Sequence, residues 1–169
     1  MKTKFNTKSD RVKSVSYCHD DSIMVSALYN GTVQVFDMNK KELLSQTKIS
    51  DKPIRCIQFF DTQNHNNMCI IADDDGTIYT FDWKEEKILS TLKNAHQDFI
   101  RKIAVHHHQP LFLTCSDDNT IKLFSIQEDN QIKLEKMYSG HQHYVMDVKF
   151  NPFDENTFAS CSLDGTVKF

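Results

Sequence analysis

The chain has 169 residues and a formal net charge of −3 at neutral pH. That length can bury a sizeable core, and the charge provides no basic field for nucleic acid. The opening MKTKFNTKSD lacks the apolar stretch of a signal peptide, and no run approaches the ~18 apolar residues of a spanning helix. Five cysteines, Cys18, Cys56, Cys69, Cys115 and Cys161, show no paired spacing, which implies free thiols in a reducing compartment.

Residues 2–8 read as an outer strand that precedes the first repeat. RVKSVSY, IMVSALY, TVQVFD and the more polar KELLSQTKI then predict four short strands up to residue 50. The same order returns as PIRCIQF, MCIIADD, TIYTFDW and EKILSTLKN, and again as FIRKIAV, LFLTCSD, TIKLFSI and IKLEKMY. It begins a fourth time with YVMDVKF, TFASCSL and TVKF. β-branched and aromatic residues dominate these runs, and turn residues punctuate them. Between the second and third strands stand Asn30-Gly31, Asp75-Gly76, Asp118-Asn119 and Asp164-Gly165, pairs that suit the positive φ of tight hairpins. The threonines that follow, Thr32, Thr77, Thr120 and Thr166, are 45, 43 and 46 residues apart. A period of ~40–45 residues with four strands per unit predicts an all-β propeller array. Its blades fall near 9–50, 51–94, 95–140 and 141–169. The fourth repeat stops at Phe169 within its third strand. The sequence therefore reads as the N-terminal part of a longer ring, with residues 2–8 as the closing strand and two open edges prone to self-pairing.

The turn signature and the Phe-Asp ends of the third strands resemble the WD40 repeat. Phe36-Asp37 and Phe81-Asp82 stand where that family has Trp-Asp, and Phe124-Ser125 departs further. His96 in NAH and His141 in SGH match the family's Gly-His before the inner strand. The resemblance implies a buried polar set that fixes each blade: His96, a hydroxyl from Thr114 or Ser116, and Asp118. His141, Asp164 and Asp75 are their counterparts. Phenylalanine lacks the indole N–H, so the set should be one member shorter here. SDRVK, AHQDFIRKIAVH, GHQHYVMDVKFNPFDENTFAS and LDGTVK further resemble the N-terminal propeller of the coatomer beta-prime family, with the alpha subunits as the nearest confounder. That likeness implies about four blades of a seven-bladed ring.

Equivalent positions of the repeats can be compared directly. At the start of each inner strand stand Arg11 and Lys13, Pro53 and Arg55, Phe99 and Arg101, Tyr144 and Met146. Before the turns stand Tyr29, Asp74, Asp117 and Leu163. Positive charge gathers at Arg11, Lys13 and Arg55, and negative charge at Asp98 and Asp117, with Tyr29 between. Such a face suits a ligand with one anionic end and cationic side chains. The coatomer resemblance implies what that ligand is: the cytosolic C-terminal dilysine tail of membrane cargo returning from Golgi to endoplasmic reticulum. Arg11, Lys13 and Arg55 would hold its carboxylate, since guanidinium forks match that group. Asp98 and Asp117 would take a lysine ammonium, and Tyr29 would pack beside the tail. Arg101 could join the site or pair with Asp98 or Asp117. The same resemblance implies other coatomer subunits as partners and a cytoplasmic protein held peripherally on Golgi and COPI vesicle membranes. A generic WD40 interaction scaffold is the competing reading.

Other features carry less. Asp73, Asp74 and Asp75 lack the spaced oxygens of a calcium loop. His106, His107 and His108 point alternately to opposite faces, which predicts a surface hairpin with no metal. NHNNM at 64–68 reads as a polar loop, and Trp83 as a packing aromatic. No nucleophile elbow, phosphate loop or zinc spacing is present, and the Ser/His/Asp sets recur as structural sets do. No enzyme activity and no cofactor are expected.

Overall fold

Continuous apolar runs such as MCIIAD can be buried on both faces only if each sheet lies between two others. A computed structural model describes residues 4–9, 11–18, 22–60 and 67–169, and it shows this arrangement. Sheet one holds β1 (Val12–Tyr17), β2 (Ile23–Leu28), β3 (Thr32–Asp37) and β4 (Glu42–Lys48). Sheet two holds β5 (Ile54–Phe60), β6 (Met68–Asp73), β7 (Ile78–Asp82) and β8 (Lys87–Leu92). β9 (Ile100–Val105), β10 (Leu111–Ser116), β11 (Ile121–Ile126) and β12 (Ile132–Tyr138) form the third sheet. β13 (Val145–Phe150), β14 (Phe158–Ser162) and β15 (Val167–Lys168) form the fourth. Every sheet is an antiparallel meander in chain order, and no helix occurs among the described residues. The protein is all-β, with four sheets arranged as part of a propeller.

The core lies between blades. Val25, Ala27, Val33 and Val35 of the first blade pack on Ile57, Cys69, Ile71 and Phe81 of the second. From the other side of the second blade, Phe60, Ile70, Ala72 and Ile78 meet Ile100, Ile103, Phe112 and Phe124 of the third. Leu113, Cys115 and Ile121 then meet Val145 and Val148 of the fourth. Cys69 and Ile71 therefore face one neighbour while Ile70 faces the other, as the two-residue period of a strand requires. Each buried aliphatic or aromatic side chain contributes about 1.5–3 kcal/mol by leaving water.

The segment read as a closing strand is described only from residue 4 onward. Residues 2 and 3 lie outside the described residues, and 4–8 pair with no strand. Phe5 instead packs on Phe36 at 4.6 Å between ring centroids, and the Gln34 amide donates to Thr7 O at 3.3 Å. Part of the loop read at 64–68 also lies outside the described residues.

Candidate functional site

One irregularity recurs at the start of every inner strand. The pairing register shifts between Val12 and Ser14, between Ile54 and Cys56, opposite Cys115/Ser116, and between Val145 and Asp147. The residues skipped are Lys13, Arg55, Arg101 and Met146. A β-bulge leaves its extra residue unpaired and re-aims its side chain. One backbone hydrogen bond closes each bulge: Tyr29 N to Arg11 O, Asp74 N to Pro53 O, Asp117 N to Phe99 O and Leu163 N to Tyr144 O, at 2.9–3.0 Å. The bulge residue is thereby brought beside the residue that precedes the turn.

What this does depends on the blade. In the first, the Arg11 guanidinium and the Lys13 ammonium lie 4.9 and 5.8 Å from the centre of the Tyr29 ring. Cations are held there by the ring's negative face, and neither forms an ion pair among the described residues. In the second, Arg55 Nε and Nη2 donate to Asp74 Oδ1 and Oδ2 at 2.7 and 2.9 Å, while its guanidinium lies 4.4 Å over Phe99. In the third, Arg101 Nε donates to Asp117 Oδ1 at 2.6 Å and its Nη2 to Asp117 Oδ2. That contact raises the Arg101 pKa above its ordinary value. The fourth blade substitutes apolar groups, with Tyr144, Met146 and Leu163 all exposed.

The sequence-predicted site residues thus fall into three groups. Arg11, Lys13 and Tyr29 come together. Arg55 is held by Asp74, a partner the sequence reading missed. Asp117, expected to be open to a ligand, is only 6% exposed and bound to Arg101. Asp98 makes no ion pair among the described residues; its Oδ1 accepts the Phe99 N–H at 2.7 Å.

The structural set is present and larger than expected. His96 Nδ1 donates to Asp118 Oδ2 at 2.9 Å, so its Nε2 accepts from the Thr114 hydroxyl at 2.6 Å. Thr120 Oγ1 adds a bond to Asp118 Oδ1 at 2.6 Å, which makes a fourth member without an indole. His141, Ser160, Asp164 and Thr166 repeat the arrangement. Burial favours neutral His96 and lowers its pKa against the pull of Asp118. Burial alone would raise Asp118, but the hydrogen bonds from His96 and Thr120 outweigh it and hold the carboxyl well below its usual range.

Asp75 does not belong to this set. Its side chain is 55% exposed and lies 3.2 Å from Lys52. The carboxylate of blade two is Asp73, 1% exposed. Asp73 accepts from Ser50 Oγ at 2.7 Å, Tyr79 Oη at 2.9 Å, Asp75 N at 3.0 Å and Thr77 N at 3.1 Å. Ser50 stands where the third and fourth blades have His96 and His141. A hydroxyl is too short to reach the turn aspartate, so the carboxylate sits two residues earlier. The Ser50 substitution was the sequence signal for that shift.

His106 also departs from the surface reading. The hairpin between β9 and β10 exists, but His106 is buried with its ring 5.0 Å edge-on to Phe150 of the next blade. Its Nδ1 accepts from His108 N and Gln109 N at 3.1 and 3.0 Å, and Nε2 lies 3.7 Å from Glu155. Among the described residues no cluster of His, Cys, Asp or Glu is arranged to hold a metal ion. Burial pushes the Cys56 thiol up to about 12, so that cysteine is inert packing. Trp83 is half-buried against the core of the first two blades.

Sequence comparison agrees with this geometry. The family profile "WD domain, G-beta repeat" matches residues 86–125 and 132–169, and that of the "Anaphase-promoting complex subunit 4 WD40 domain" matches residues 2–62. The chain belongs to the WD40-repeat β-propellers. Within that class it is similar to coatomer subunit beta' along 99% of its length: 39% identical over 168 residues to the protein of Drosophila melanogaster and 38% to that of Homo sapiens. It is 36% identical to coatomer subunit beta'-1 of Oryza sativa subsp. japonica. The chain spans 18% of the length of these relatives.

Proposed function

We propose that this chain is part of a COPI coat subunit and that its bulge-bearing face binds C-terminal dilysine tails of membrane cargo for Golgi-to-endoplasmic-reticulum transport. The observation that carries the reading is the uncompensated charge. Arg11 and Lys13 flank Tyr29 without an ion-pair partner among the described residues, and Asp98 is likewise unpaired two blades away. Arg55 lies between them, on blade two, and completes the anion end. A free C-terminus offers two carboxylate oxygens that an internal Lys-Lys lacks, so its capture is a sharp filter. In the same reading the partners are other coatomer subunits, and the protein is cytoplasmic, associating peripherally with Golgi and COPI vesicle membranes through the coat.

Calorimetry with Lys-Lys-x-x peptides on the full-length protein tests this. The free acid should bind at micromolar Kd, about −6 to −8 kcal/mol, because a flexible peptide loses entropy on ordering. Amidating the C-terminus, or Arg55→Ala, should weaken binding about tenfold or more, as loss of a charge-assisted contact does. Equal binding of free-acid and amidated peptides would leave the generic WD40 scaffold, to which the exposed Tyr144, Met146 and Leu163 offer an apolar contact.

A further inference from the structure

Two of the charges assigned to the ligand already have partners, and the chain supplies both. Arg55–Asp74 and Arg101–Asp117 are the same pair by position, a bulge residue and a pre-turn residue, in adjacent blades. Both are chelates through the Nε and Nη2 edge. Their side chains are largely withdrawn from water, 17% and 12% exposed for Arg55 and Asp74, 25% and 3% for Arg101 and Asp117. Phe99 lies between them, 4.4 Å from the Arg55 guanidinium and 5.9 Å from that of Arg101. Asp74 is chemically the same group as a peptide's terminal carboxylate. Arg101, like a lysine ammonium, is a cation set against Asp117.

We propose that Asp74 and Arg101 are internal counter-ligands, holding the two places that a zwitterionic tail competes for. Resting on the dilysine reading above, this makes binding an exchange of ion pairs. The terminal carboxylate competes with Asp74 for Arg55, and an ammonium competes with Arg101 for Asp117. Where a pair is exchanged, the new Coulomb attraction is offset by the one given up, and burying two charges again gains little net free energy. Net gain comes from Arg11, Lys13 and Asp98, which form no ion pair among the described residues. Each internal counter-ion therefore weakens only a ligand that carries the end it competes with, Asp74 against a terminal carboxylate and Arg101 against an ammonium.

The prediction runs against the usual effect of deleting a site charge. Asp74→Asn retains an oxygen for the Arg55 Nε–H and leaves Phe99 beneath the guanidinium, but removes the competing anion. In the full-length protein it should tighten binding of free-acid Lys-Lys-x-x by about threefold to tenfold, the scale of a partly exposed charge pair. Binding of the amidated peptide should change less than about twofold. Arg101→Gln retains a donor to Asp117 and should tighten both peptides alike, since both carry the lysines. Unmutated protein gives a second readout: the Arg55 Nε–H resonance should shift on titration with the free acid and stay in place with the amide. If Asp74→Asn weakens free-acid binding or leaves it unchanged, while unmodified protein still prefers the free acid, Asp74 merely positions Arg55. The counter-ligand idea then fails and the dilysine reading stands. A resonance unmoved by the free acid overturns the idea in the same way. If unmodified protein binds acid and amide alike, the dilysine reading itself is lost, and this inference with it.

Discussion

Asp118 accepts four hydrogen bonds, from His96 Nδ1, Gln97 N, Thr120 N and Thr120 Oγ1. Deleting its carboxylate leaves donors without an acceptor, the costly kind of loss. Asp118→Ala should therefore lower stability by about 1–3 kcal/mol, and Asp73→Ala should do the same in blade two. Asp75→Ala should stay within about 0.5 kcal/mol, because an exposed pair with Lys52 contributes little. Urea denaturation of the three variants decides it. A loss at Asp75 equal to that at Asp73 would contradict the displaced network. Asp117, assigned by the sequence to a lysine ammonium, is chelated by Arg101 and is thereby part of the face's architecture.

Among elements, the turn after each second strand limits what the neighbouring blade can do. Gly31 has φ +80°, and a Cβ there would lie 1.9 Å from Ser50 O, the backbone entering blade two. Asn119, the equivalent of blade three, already carries a side chain at φ +66°. Gly31→Ala should cost at least ~3 kcal/mol, beyond ordinary substitutions, whereas Asn119→Ala should cost about 1–2 kcal/mol, the left-handed penalty alone. Thermal melts that show equal losses would mean that the contact at Gly31 relaxes freely. These turns and the four-strand units were legible because both are local: Asn-Gly, Asp-Gly and alternating apolar residues lie within a few positions of one another. The bulges were not, since a one-residue register shift leaves no mark in a run such as PIRCIQF. Without the bulge, Arg55 and Asp74 are two surface charges 19 residues apart, and nothing local pairs them. The gathering of Arg11, Lys13 and Tyr29 could be anticipated because equivalent repeat positions could be aligned. The occupancy of Asp117 could not, because it depends on where the Arg101 side chain turns.

Across the whole molecule, blades are held by the seams between them, and stability is approximately a sum of neighbour interfaces. The buried His96 and His106 lie on those seams. His96 N donates to Gly76 O of the preceding blade at 3.2 Å, and His106 packs on Phe150 and faces Glu155 of the following one. Burial lowers the pKa of both below 6.5. As pH falls through 6.5 the unfolded chain therefore takes up protons before the folded one. The stabilisation is complete above that value and is lost as pH drops toward the folded pKa. Asp118 acts in the same direction at lower pH, its contribution present above 3.8 and lost further down. At His106 the cause is concrete, since a protonated Nδ1 can no longer accept from His108 N and Gln109 N. The urea midpoint should accordingly fall between pH 7.5 and 5.5. His106→Asn places an amide oxygen where Nδ1 accepts and removes the titrating group. It should be less stable at pH 7.5, having lost the ring against Phe150, yet show a smaller drop to pH 5.5. If the variant kept the full drop, the acid sensitivity would belong to His96 and its neighbours, and the seam between the third and fourth blades would be indifferent to pH.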